Sequence, residues 1–338
     1  MKKHINIPIF IPMMGCPFAC IYCSQVEISG HIKLDFTKVD DEINLALKTT
    51  NPNEQEIQIA FFGGSFTGID RDDMILLLEI ANRYIREGRV HSIRCSTRPD
   101  FIDEEIVEIL KKYNVKTVEL GVQSANDEVL KYCGRGHDFE TTKKAARLLV
   151  NNGIEFVGQM MVGLPKSSLE DEIVTAKEII KMKAVGARIY PCVVLKNTKL
   201  AQITKNGEYI PLTFEESVKR CEEVFEIFRE ANVNVIRIGL QSNVDLTSGE
   251  DVAYGIYDES VGEKCHSLYF KKLMIKNLDK KDCNGKIVTI FVNPKKISCA
   301  SGYRRENKIE IMNKYALKGI YIKGDENISE FDLKIEIE

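Results

Sequence analysis

Through the first two thirds of the chain, short apolar runs alternate with longer amphipathic ones, and this alternation restricts the fold more than any other feature. Strands read near residues 5–13, 56–62, 91–96, 116–122, 154–162 and 186–194. Helices fit near 38–49, 71–87, 103–113, 139–152, 168–183 and 213–231. In the second helix Met74, Leu77, Leu78 and Ala81 recur at helical spacing, with Asp70 placed as a cap before them. Repeated strand–helix units form a parallel sheet with helices against it. Six of them make a partial TIM-type (β/α)6 barrel, with an open doubly wound sheet as the competing arrangement. In either case the working site lies at the carboxyl ends of the strands.

The 338 residues suffice for one large domain and a smaller one, read as a barrel over 1–241 and a linker with a small α/β module over 242–338. Seven of the ten cysteines are scattered singly, which suits a reducing compartment and a cytoplasmic location. Lys2 and Lys3 precede an apolar run, but His4, Asn6 and two prolines interrupt it, so it reads as a strand and not as a leader. No run approaches the roughly twenty apolar residues that cross a bilayer, and no membrane is expected as a partner. Charge is uneven: residues 263–323 carry fifteen Lys or Arg against five Asp or Glu. Such a stretch fits a polyanionic partner, tRNA or another RNA, or a solvated lysine-rich surface.

Directly after the first strand, Cys16, Cys20 and Cys23 fall within eight residues in a loop marked by Gly15 and Pro17. Three soft ligands at one place indicate a metal site. Three thiolates would leave one iron of a 4Fe-4S cluster without a protein ligand, and that iron open to chemistry. A zinc knuckle needs a fourth ligand, which His31 could supply. Three buried apolar thiols are the plain alternative.

If the barrel reading is right, informative residues should follow the strands, and they do. Gly63-Gly64-Ser65 follows the second, where paired glycines either let a ligand approach backbone amides or form a plain tight turn. Ser96, Thr97 and Arg98 stand at the rim of the third, before Pro99. In the fourth, Glu119 is costly on a strand buried on both faces unless paired, so it serves either a ligand or a buried salt bridge with Arg98. Arg135 lies between Gly134 and Gly136, where its fork suits a carboxylate or plain solvent. The fifth strand carries Gln159 into Gly163-Leu164-Pro165, and the sixth brings Arg188 and Tyr190 to the same mouth.

Taken together, CPFACIYC, FFGGSFTGI, STRPDFI, VELGVQS with the following GRGH, and MMVGLP resemble the radical S-adenosylmethionine (SAM) core in order and interval. The resemblance spans roughly residues 5–240 and is strongest to the core of the Elongator catalytic subunit and its bacterial relatives. That subunit has a longer spacing between its first two cluster cysteines and an acetyltransferase domain for which this chain has no room. The resemblance implies a 4Fe-4S cluster on Cys16, Cys20 and Cys23, with SAM chelated to the open iron. It further implies that Gly63 and Gly64 meet the methionine amino group, with Ser65 where many members have glutamate. By similarity to oxygen-independent coproporphyrinogen oxidase, which shares the short cysteine spacing, Gln123 would contact the SAM ribose and Arg135 its carboxylate. Ser96 and Gln159 stand near positions where relatives carry acidic contacts, so those contacts are altered or absent here, and Phe18, Ile21 and Tyr22 would flank the cluster or the adenine or serve plain packing.

The implied reaction is reductive cleavage of SAM to a 5'-deoxyadenosyl radical that abstracts a substrate hydrogen, fed by a reductase or ferredoxin-type donor. Transfer RNA is the favoured substrate. The competing readings are a coproporphyrinogen-oxidase-like enzyme acting on a small molecule and a non-catalytic metal-binding or electron-transfer protein.

Beyond residue 241 the turn-rich, acidic stretch Gly249 to Gly262 reads as a cover or a linker. Strands are expected near 286–292, 319–323 and 331–337, with a helix over 302–315. The turn Gly302 to Asn307 leads into a helix and offers phosphate-binding chemistry, with simple capping of the barrel as the alternative for this module.

Overall fold

The computed structural model describes residues 3–11, 16, 20–24, 35–240, 249–255 and 257–338. Its first compact unit comprises residues 1–213 and 227–257, and its second 214–226 and 258–338. The sequence reading placed a single boundary at 241, whereas this division falls inside one helix.

In the first unit the strands are β1 (Lys3–Ile11), β2 (Gln55–Gly63), β3 (Ser92–Thr97), β4 (Val115–Gln123), β5 (Glu155–Val162) and β6 (Gly186–Pro191). A short β7 (Val194–Leu195) precedes β8 (Asn234–Ile238), and β9 (Val252–Tyr254) pairs antiparallel with β7. The main sheet runs β1-β2-β3-β4-β5-β6-β8, every neighbouring pair parallel, and curls into a half-barrel. It therefore holds seven strands and not six. Asn234–Ile238 escaped the sequence reading because it is only five residues long and follows closely on a helix that ends at Glu230.

Helices α1 (Phe36–Leu47), α2 (Arg71–Arg86), α3 (Glu104–Lys112), α4 (Asp127–Tyr132), α5 (Phe139–Asn151) and α6 (Leu169–Lys181) follow the strands, then α7 (Lys199–Lys205) and α8 (Phe214–Glu230). Their starts are chemically marked. Asp70 accepts from the amides of Asp72 and Asp73, Asp103 from Ile106, and Ser168 forms a reciprocal capping box with Asp171. Alternation sorts the strand residues by face. On β2, Ile57, Ile59 and Phe61 are fully buried, whereas Phe62 borders a cavity and Gln58 joins a polar network.

Two irregularities shape the strand ends. Gly63 sits at φ +110°, and a Cβ there would lie 2.3 Å from the Ile11 carbonyl oxygen, which already accepts from Gly64 at 2.9 Å. Only glycine lets β1 and β2 end this close together. On β4 the register with β5 shifts between Gly121 and Gln123, and Gln123 adopts a left-handed φ of 65°.

The second unit contains the first thirteen residues of α8 and a long α9 (Val261–Leu278). It continues as β10 (Ile287–Val292), α10 (Ile297–Ser301), α11 (Glu306–Lys314), β11 (Gly319–Gly324) and β12 (Leu333–Ile337). The three strands lie in the order β11-β10-β12, with β10 parallel to β11 and antiparallel to β12. Sequence reading missed α9 because its apolar residues fall on every side of the helix and leave no stripe. The helix expected over 302–315 begins at Glu306, since Gly302, Arg304 and Arg305 all take positive φ. Among the described residues no helix is long and apolar enough to cross a membrane.

Gly63→Ala combines a left-handed backbone with a collision against main chain, which side-chain rotation cannot relieve. Urea unfolding should show a loss of about 2 kcal/mol or more. Gly88→Ala, also at positive φ but in open space, should lose less.

Candidate active site

A cavity of about 280 Å³ opens at the carboxyl ends of the strands of the first unit. Cys16, Cys20, Tyr22 and Cys23 border it from the loop after β1, and Gly63, Gly64 and Ser65 from the end of β2. Ser96 and Arg98 (at and after β3), Glu119 and Gln123 (β4), Arg135 (after α4) and Gln159 (β5) complete the set singled out in the sequence. Thr97, Arg188 and Tyr190 also line it, as their strand ends suggested. Sequence reasoning did not single out Phe10, Phe62, Met161, Leu195 or Leu240 as part of the wall. The inward alternation of β1, β2 and β5 could have found the first three. His31 and Phe18 lie outside the described residues.

Two arginines converge on the second cysteine. Arg135 Nη1 lies 3.7 Å and Arg98 Nη1 4.0 Å from Cys20 Sγ. Each is held by further contacts. Arg135 donates through Nη2 to the Gly121 carbonyl at 2.7 Å, and Arg98 grips Asp100 through Nε at 2.9 Å and Nη2 at 2.8 Å. Arg98 also donates to the Arg135 carbonyl, which fixes the two loops together. Burial disfavours the Arg135 charge, yet its proximity to Tyr22 and Cys20 keeps the guanidinium firmly protonated. Burial raises the Cys16 thiol pKa, an effect that nearby Arg98 opposes. Ser65 is turned inward: its Oγ accepts from the Arg98 amide at 3.0 Å and meets Thr97 Oγ1 at 2.9 Å.

Glu119, with a side chain only 1% exposed, is the hub of the sheet's inner face. Oε1 accepts from Arg94 Nη1 at 2.9 Å and Arg188 Nη2 at 3.0 Å. Oε2 accepts from Gln159 Nε2 at 2.8 Å and lies 2.8 Å from Arg188 Nε. Arg94 continues to Gln58 at 3.0 Å, which reaches Ser92 at 2.7 Å and His4 at 2.8 Å. The expected bridge from Glu119 to Arg98 is therefore corrected. Arg98 lies beyond the end of β3 and pairs with Asp100, while Arg94, two residues before Ser96 and on its face, reaches the carboxylate. Burial pushes the Glu119 pKa up, but the charges and hydrogen bonds of Arg188 and Arg94 together outweigh it and leave it below the usual glutamate value.

The donor set suits a cluster and a polar cofactor. Among the described residues no three His, Cys, Asp or Glu side chains close around one ion. Three thiolates that each take a different iron hold a cubane and leave its fourth iron open. Tyr22 Oη, Gln123 Oε1 and Arg135 Nε are buried without hydrogen-bond partners among the described residues. Orphaned polar atoms on a cavity wall call for a ligand that satisfies them.

Comparison with known proteins agrees with this geometry. The profile of the Radical SAM superfamily matches residues 10–179, and that of the Radical_SAM C-terminal domain matches 184–263. The chain belongs to the radical SAM superfamily. As a radical SAM enzyme it has close partial relatives. A tRNA uridine(34) acetyltransferase of Methanocaldococcus jannaschii is 37% identical over 136 residues, covering 39% of this chain and 25% of that protein. An uncharacterized protein of the same organism is 29% identical over 219 residues, covering 62% of this chain and 67% of its own length. Among solved structures, the archaeal Methanocaldococcus infernus Elp3 with residues 1–46 deleted superposes with a TM-score of 0.64 at 24% identity, over 80% of this chain and 64% of that one. This last likeness is one of fold. The chain thus spans about a quarter of the acetyltransferase it resembles.

Glu119→Gln would leave two guanidiniums facing a neutral amide, a loss of about 3 kcal/mol in unfolding free energy. Because the folded pKa of Glu119 is depressed, its contribution is present above the unfolded value of about 4.3 and disappears as pH falls through the folded value. The gap between wild type and Glu119→Gln should therefore narrow on acidification below about pH 4.

Proposed function

We propose that the chain holds a 4Fe-4S cluster on Cys16, Cys20 and Cys23, binds SAM beside it, and acts in the modification of tRNA. The observation that carries this reading is the meeting of the three cysteines with unsatisfied Tyr22, Gln123 and Arg135 atoms around one cavity. Cluster and SAM together supply a one-electron cleavage that yields a carbon radical able to take a substrate hydrogen. The remaining work belongs to the protein. Arg98 and Arg135 place positive charge against the sulfur of Cys20 and favour an anionic metal–thiolate assembly there. The backbone at Gly63 and Gly64 admits the amino-acid end of SAM without a side chain in the way, with Arg135 for its carboxylate and Gln123 for the ribose. Phe10, Phe62, Met161 and Leu240 supply an apolar wall that keeps water from a reactive radical.

Support for tRNA comes from the named activity of the relative that shares 136 residues, and from the basic segment 263–323. Acetyl transfer is not carried over, since three quarters of that relative lies outside the match. A reductase or ferredoxin-type protein would deliver the electron.

Reconstitution with iron and sulfide under anaerobic conditions, followed by SAM and dithionite, should release 5'-deoxyadenosine, and Cys20→Ala should abolish it. Zinc in place of iron, or iron without SAM cleavage, overturns the reading. For Arg135→Ala, SAM affinity should fall about tenfold or more while the cluster absorbance persists. Unaltered affinity would remove Arg135 from the SAM contacts.

A further inference from the structure

The second unit leaves one face of its sheet open. Val288, Ile290 and Val292 on β10 and Ile320 on β11 are buried. The opposite face carries a different composition. Phe291, on the central strand, stands between Lys323 of β11 and Lys334 of β12, and the Lys334 ammonium lies 5.8 Å from the Phe291 ring centre. In the neighbouring row, Thr289 stands between Tyr321 and Glu336, and Tyr321 is 53% exposed. Glu336 also pairs with Lys334 at 2.7 Å. Two aromatic rings are thus displayed on a rigid platform with lysines on both flanks.

We propose that this face binds unpaired RNA, its bases stacking on Phe291 and Tyr321 and its phosphates meeting Lys323 and Lys334. Flat rings stack on any base, and lysines beside them track the backbone, which is how sheet surfaces hold single strands without base-specific hydrogen bonds. Charge favours RNA over a protein partner. Of the fifteen basic residues in 263–323, five (Lys264, Lys271, Lys272, Lys296 and Lys314) pair with carboxylates among the described residues, so ten stand uncompensated there. Protein interfaces are depleted in lysine around their central aromatics, whereas here Lys323 and Lys334 stand on either side of Phe291. The inference rests on the reading of tRNA as substrate and adds where an unpaired segment of it, a loop or the 3' end, is gripped.

The test uses the full chain with a fluorescent oligouridylate of twelve nucleotides and with unmodified tRNA. Phe291→Ala/Tyr321→Ala should weaken oligouridylate binding at least tenfold. Lys323→Gln/Lys334→Gln should lower the slope of log affinity against log salt by about 1.4, the loss of two phosphate contacts to a single strand. Circular dichroism and the 5'-deoxyadenosine assay of the same variants report whether the fold and the cavity of the first unit are intact. If wild type binds neither RNA, the tRNA reading itself fails. If wild type binds but both double variants bind equally well, RNA is held elsewhere and only this inference fails. Self-association of wild type that the aromatic variant alone abolishes, with RNA affinity unchanged, would assign the face to a second copy of the chain and overturn it as well.

Discussion

A single buried carboxylate organises the interior of the half-barrel. Glu119 on β4 is contacted from β3 by Arg94, from β5 by Gln159 and from β6 by Arg188, so four adjacent strands are tied together across their inner face. Parallel sheets are usually held by apolar packing on both sides. Here the helix side follows that rule, with Ile57, Ile59, Phe61, Val118 and Leu120 fully buried, and the inner side replaces it with a buried polar network around Glu119. Such a network constrains side-chain geometry more tightly than apolar contact, because each hydrogen bond fixes direction as well as distance. One carboxylate shared by two guanidiniums leaves an excess of positive charge close to the cavity that the same strands line.

The carboxyl ends of the strands carry a second layer of organisation. Gly63 brings the ends of β1 and β2 together, and Arg98 links the turn after β3 to the loop after α4 through Asp100 and the Arg135 carbonyl. The result is a rim in which residues far apart in sequence, Cys20, Arg98 and Arg135, meet within hydrogen-bonding range of one sulfur. Rigid placement of this kind, with supporting contacts behind each functional group, is what a site for a reactive cofactor requires.

Much of this was legible in the sequence, for identifiable reasons. The strand–helix alternation and the caps at Asp70 and Asp103 are local signals, so their elements are found where periodicity puts them. The rule that ligands sit at strand ends led from those elements to the cavity-lining residues, Ser96, Gln123 and Gln159 among them. Three things were not legible. The partner of Glu119 depends on register and on which side chain of β3 faces inward, and a nearer-seeming arginine at 98 had a local carboxylate of its own. Strand β8 is too short to stand out so soon after α8, although it closes the order of the sheet. Helix α9 mixes apolar and charged residues around its whole circumference, and a helix without a stripe resembles no helix in a periodicity search.

Position 123 shows what such a site demands of the chain around it. Its backbone occupies the left-handed region at a register shift, a conformation that glycine takes freely and glutamine takes at a penalty of about 1 kcal/mol. Its amide carbonyl, meanwhile, is buried without a partner among the described residues. Both features argue against glutamine if folding were the sole criterion. A redesign of this barrel guided by thermodynamic robustness alone would write glycine there, gain a steadier sheet, and erase a polar side chain from the cavity wall.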